Sequence, residues 1–197
     1  MRKRSRTVAL AILGSTAFAL AGCRDEQTAA EAFPDEASCI ASAQQGNLFY
    51  TESDCRVAFA QAAQDHLETA PRYESLELCE QEHGQGNCGG DPAQTAQGGG
   101  GGSIFMPLMM GYLLGQMMGG RGVASQPLAR TADGRFATPG GTSVANNRGA
   151  GQMQPGAFNK APTTMGQPPM TRAQVAQRGG FGQTATTRST GSRSTGG

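Results

Sequence analysis

The sequence predicts a mainly α protein: a small disulfide-stapled helical module, one short Met/Gly-rich apolar helix and a long disordered tail. Three observations predict it. Between residues 33 and 91, capping residues and helix breakers bracket short amphipathic runs, and four cysteines lie among them. Residues 103–120 form a concentrated apolar stretch in which glycine recurs every fourth residue. The remainder is rich in Gly, Pro, Gln, Ser, Thr and Arg, and a chain this poor in large apolar side chains does not offset the entropy of ordering its backbone. The 197 residues include 30 glycines, 10 prolines and no tryptophan, which points to a folded unit much smaller than the chain.

The first 22 residues read as a signal peptide. Arg2, Lys3, Arg4 and Arg6 precede an apolar run from Val8 to Ala19, which is shorter than the roughly 20 residues of a membrane span. Leu20-Ala21-Gly22-Cys23 then resembles a bacterial lipobox, in which small residues admit the peptidase and the cysteine thiol accepts lipid. The competing readings are a structural thiol at Cys23 or an uncleaved leader. Anchoring by several acyl chains is effective because each buried methylene contributes about 0.8 kcal/mol. Arg24 stands where an aspartate would favour inner-membrane retention, so the periplasmic face of the outer membrane is favoured.

Residues 23–32 form a linker, and residues 33–91 the acidic four-cysteine module. Setting Cys23 aside leaves Cys39, Cys55, Cys79 and Cys88, an even number in an exported chain, which reads as two disulfides. Local bridges, Cys39–Cys55 and Cys79–Cys88, are favoured by spacing over the other two pairings. Helices are expected over Asp35–Gln44, from the capping residues Thr51–Asp54 to Thr69, and from Ser75 to His83. In the long one, Val57, Ala60, Ala63 and Leu67 share a face at three- and four-residue spacing. A metal site built from Cys79, His83, Cys88 and His66 competes with the disulfide reading, but the chain has no close Cys-x-x-Cys pair. No metal, cofactor or catalytic residue is assigned. No nucleophile–base set or phosphate loop is evident, and the chain is read as non-enzymatic.

A Gly-rich linker, 92–102, leads to the Met/Gly segment. A helix over Pro107–Met118 would carry Gly111, Gly115 and Gly119 on one smooth face suited to helix association. It would be about 18 Å long, too short to cross a hydrocarbon core. It would self-associate, lie in the membrane interface or pack on the cysteine module. Residues 121–197 form the expected disordered tail. Charge divides accordingly: fourteen acids against three arginines from Cys23 to Asp91, then nine cations against the single acid Asp133 from Pro92 onward. The basic end suits anionic lipid or polysaccharide. Arg178-Gly-Gly-Phe181-Gly182 has an RNA-binding look, but no nucleic-acid partner is assigned.

Several features together resemble the YgiB family of uncharacterised bacterial proteins. They are the lipobox, the four cysteines, Ala70-Pro71-Arg72-Tyr73, Gly84-Gln85-Gly86-Asn87-Cys88, the run from Phe105 to Gly120, Gln126-Pro127-Leu128 and the Arg178–Gly182 element. The chain departs at His83, where the family carries an aromatic before the glycine. The resemblance implies an envelope protein of unknown role and carries no activity. The functional expectation is a non-enzymatic, lipid-anchored envelope protein mediating assembly or membrane-surface contact, through self-association or an envelope partner. The alternative is an accessory or binding subunit of an envelope enzyme or transporter.

Overall fold

A computed structural model describes residues 27–47, 49–92, 103–116 and 122–178. Strand β1 (Thr28–Phe33) leads into helices α1 (Glu36–Gln44), α2 (Glu52–Thr69) and α3 (Leu76–His83). Short strands β2 (Cys88–Gly90) and β3 (Phe105–Pro107) pair with each other, and β4 (Met109–Gln116) and β5 (Val123–Arg130) follow. Strands β6 (Phe136–Ala137), β7 (Ser143–Val144) and β8 (Gly149–Met153), a 3₁₀ turn (Pro155–Phe158) and helix α4 (Arg172–Arg178) complete the order. Six strands form one antiparallel sheet in the order β7-β6-β5-β4-β1-β8.

The three early helices lie where the capping chemistry puts them. Asp35 accepts from the Ser38 amide to start α1, and Thr51 with Asp54 forms a reciprocal capping box at α2. Ser75 caps α3. The inward face of α2 differs from the expected one. Val57, Ala60 and Leu67 face solvent, while Cys55, Ala58, Ala62, Asp65, His66 and Thr69 are buried. Small alanines let α2 lie close on β4 and β5, and the polar residues of that face are accepted inside because they are hydrogen-bonded.

The mainly α expectation is overturned by the sheet. Residues 109–116 are not a helix but the strand β4, bonded to β1 on one side and β5 on the other. A strand buried on both faces shows no alternation, so its apolar run looks the same as a buried helix turn. Tyr112 and Leu114 pack toward the helices with Phe33, Cys39, Tyr50 and Cys55. Leu113 packs the other way, with Ala30, Ala32, Leu128 and Val144.

The glycine stripe is therefore not a helix-association face. Gly111 has φ +141° beside a register shift between Met109 and Tyr112, and a Cβ there would lie 2.5 Å from the Phe33 carbonyl oxygen. A Cβ on Gly115 would lie 2.1 Å from Phe158 Cζ, because the Phe158 ring sits on the sheet at that position. Gly119 and Cys23 lie outside the described residues. The long disordered tail is corrected as well. Residues 122–178 supply four of the six strands, and Val175 of α4 is buried in a third cluster with Tyr73, Leu78 and Cys79.

Two disulfides fasten the layers. Cys39–Cys55 ties α1 to α2 inside the first core, and Cys79–Cys88 ties α3 to β2. Among the described residues, no helix is long and apolar enough to cross a membrane.

Candidate functional site

The C-terminal end of α2 is where the polar burial of this chain concentrates. Pro71 stops the helix, and residues 72–74 run extended between two neighbours. Tyr73 exchanges backbone hydrogen bonds with Phe105, while Met170 N donates to Arg72 O and Glu74 N to Met170 O. Residues 160–170 thus form an irregular strap held against α2. Thr164 N donates to Glu68 O at 2.8 Å, and Lys160 Nζ lies 2.7 Å from both Asp65 Oδ1 and Glu68 Oε2.

Arg72 is the hub of that attachment. Its Nε donates to Asp91 Oδ2 at 2.8 Å, with the side chains 5% and 3% exposed. Its other nitrogens donate to Leu67 O at 2.7 Å, to Ala70 O and to Thr164 Oγ1 on the strap. A guanidinium fits here because it supplies several fixed donors to the unsatisfied carbonyls of a helix end and favours the negative end of the helix dipole.

Beneath the strap lies a cavity of about 480 Å³, walled by α2, α3, β5 and the loop after β6. Both histidines of the chain line it. His66 Nε2 is 2.9 Å from the Pro107 carbonyl oxygen, which only accepts, so Nε2 carries the hydrogen. His83 Nδ1 is 2.7 Å from the Arg130 carbonyl and carries its hydrogen for the same reason. Burial pushes both imidazole pKa values below 6.5, the ordinary value.

Tyr73, fully buried, joins His83 to Glu82. Its hydroxyl oxygen lies 2.5 Å from Glu82 Oε2 and 2.9 Å from His83 Nε2. The phenol donates to Glu82, and with the His83 hydrogen held on Nδ1 by the Arg130 carbonyl, the acceptor Nε2 faces the same hydroxyl. Burial, followed by the Glu82 hydrogen bond and its charge, pushes the Tyr73 phenol pKa well above its ordinary value, so the phenol keeps its proton.

Of the residues singled out from sequence, His66 and His83 share this cavity, whereas Cys79 and Cys88 are consumed by their disulfide and do not serve as metal ligands. No cluster of three or more His, Cys, Asp or Glu suited to a metal occurs among the described residues. Gly111 and Gly115 stand apart, in β4. Arg72, Tyr73, Glu82 and Asp91 were not singled out as functional. The only signal was the Ala70–Tyr73 tetrapeptide after a helix, which says nothing of its partners near 91, 105 and 164.

Together these features define a small disulfide-fastened α+β domain with a polar-lined cavity at the end of its longest helix. The family model described as "Protein of unknown function (DUF1190)" matches residues 27–192. A UPF0441 protein of Klebsiella pneumoniae subsp. pneumoniae is 33% identical, covering 96% of this chain and 85% of the relative. A UPF0441 protein of Klebsiella pneumoniae strain 342 is similar to the same extent. The chain belongs to this DUF1190/UPF0441 family of uncharacterised proteins. No solved structure matches it.

Proposed function

We propose that this chain is a lipid-anchored protein of the bacterial cell envelope, of the YgiB type, whose folded domain binds a ligand rather than turning one over. The observation that supports binding is the cavity of about 480 Å³ under the strap, lined by two buried imidazoles, Tyr73 and Glu82. Its hydrogen-bonding groups are fixed by backbone carbonyls and by each other, which suits recognition.

The anchor reading rests on Leu20-Ala21-Gly22-Cys23 after a basic and apolar leader. Two disulfides agree with an oxidising compartment. Arg24 in place of aspartate favours the periplasmic face of the outer membrane. Arg130, Arg135, Arg148 and Arg172 are exposed and suit anionic lipid or polysaccharide. Metabolic labelling with palmitate tests the anchor: incorporation is expected in the full chain and absent in Cys23→Ser. Persistent label in that variant would refute it.

A further inference from the structure

We propose that the cavity takes a small, neutral, largely apolar molecule carrying one hydroxyl or N–H donor, of the phenol or indole type, and that this donor closes on His66 Nδ1. The proposal rests on reading the domain as a binding module.

His66 is only 7% exposed, yet half of its hydrogen-bonding capacity is unused. Nε2–H is committed to the Pro107 carbonyl. In the neutral ring, Nδ1 is then a pure acceptor, and it has no hydrogen-bond partner among the described residues. Among the described residues, the side-chain polar atoms that are both enclosed and unpartnered are Tyr112 Oη and Ser125 Oγ. His66 Nδ1 is not one of them, and since His66 lines the cavity this lone pair opens into it. An acceptor held in one tautomer and facing the cavity is completed by a donor entering it, a hydrogen bond that contributes about 0.5–1.5 kcal/mol.

Charge narrows the choice of donor. Arg178 and Arg72 lie in the cavity wall against one carboxyl, Glu82, whose Oε2 already accepts from Tyr73, so a cationic donor is disfavoured. The charge on Arg72 is already matched by Asp91 at 2.8 Å. An anion without a hydroxyl or N–H of its own, such as benzoate, has no proton to give Nδ1 and would have to protonate His66 against its burial. A neutral hydroxyl or N–H meets neither obstacle. The body of the molecule faces Pro71, Pro107, Pro127, Pro139, Pro168 and Met170, which offer apolar contact. About 480 Å³ accommodates a bicyclic aromatic, within the usual range of small-molecule pockets.

With only two histidines, the full chain labelled with ¹⁵N-histidine gives two separable imidazoles. It is titrated in detergent at pH 7.5 with phenol and with indole. The expected result is a saturable displacement of the His66 Nδ1 resonance in the direction of an accepted hydrogen bond, with the proton on Nε2 retained. Anisole and N-methylindole keep the shape and lose the donor, and should bind at least about tenfold more weakly, the equivalent of one hydrogen bond. His66→Leu should abolish the discrimination between phenol and anisole. If that variant does not fold, Ala137→Phe, which fills the cavity from its wall, should abolish the displacement with both imidazoles still visible. No displacement at saturating phenol and indole, equal affinity for anisole, or tighter binding of benzoate with protonation of His66 would each overturn the proposal. Tighter binding of benzoate would overturn this ligand class and leave the binding reading standing, whereas failure of phenol, indole and benzoate alike to displace either imidazole would count against both.

Discussion

At the scale of the residue, His66 and His83 make stability depend on pH in a defined direction. Both pKa values are lowered by burial, so below the unfolded value of 6.5 the unfolded chain takes up protons that the folded chain refuses. The sign follows: stability is fully present above pH 6.5 and falls as pH drops from there toward the folded values. The slope approaches about 1.4 kcal/mol per pH unit for each histidine. Urea melts between pH 5 and 8 should show this fall, and His66→Gln should make it shallower. A flat profile would contradict the burial of the two rings. Arg72 makes a second residue-scale case. Removing it alone as Arg72→Met breaks the buried pair with Asp91, which is 3% exposed, at an expected cost of about 3–5 kcal/mol. The double variant Arg72→Met/Asp91→Leu should recover much of that loss in the same melts. Equal destabilisation by the single and double variants would instead place the contribution of Arg72 in its bonds to Leu67, Ala70 and Thr164.

At the scale of the element, the helices were legible and the central strand was not. Asp35, the Thr51–Asp54 pair and Ser75 satisfy helix-end amides by local chemistry, which any reader of the chain can see. β4 carries no such mark, since one face is covered by the helix-side core and the other by the cluster around Leu128 and Val144, which hides its period. Its glycines spaced four apart fitted a helix face, but four is also an even number, and a strand accepts it equally. What decides is contact: Gly115 is the seat of the Phe158 ring, 43 residues away in sequence, and Gly111 lies against the Phe33 carbonyl. The cavity was hidden for the same reason, because its polar groups meet only after segments near 66, 83, 107, 130 and 164 converge. Gly115→Ala is expected to destabilise by about 1–3 kcal/mol through displacement of Phe158. Pairing it with Phe158→Ala, which vacates the seat, should bring the two effects below additivity in a double-mutant cycle. Strict additivity would mean that the ring does not occupy the seat.

At the scale of the whole molecule, the fold is closed by residues distant in sequence, and this is why composition misjudged its extent. β1 is flanked by β4 and β8, so the first strand pairs with one that begins at Gly149. The strap at 160–170 holds the end of α2, and Val175 fills the cluster around Tyr73. Few large apolar side chains are needed after residue 121, because these segments complete surfaces that earlier residues supply: Phe136, Met153 and Phe158 pack on Ala30, Ala32 and Leu113. The helical module expected over 33–91 therefore has no sheet to pack on without them. A chain ending at Arg121 keeps all four module cysteines and both bridges, yet loses β5 to β8, the strap and α4. It strips Leu113 of Leu128, Val144 and Phe158 and leaves Arg72 without Thr164. Each disulfide constrains the unfolded chain by about 2–4 kcal/mol, but that entropy does not replace a missing face of the core. The truncated chain, oxidised, should melt without a cooperative transition and lose amide protection in α2, whereas the full chain should melt in one step. A sharp melt of the truncated form, with α2 still protected, would show that the four-cysteine module folds alone and that the sheet is built upon it.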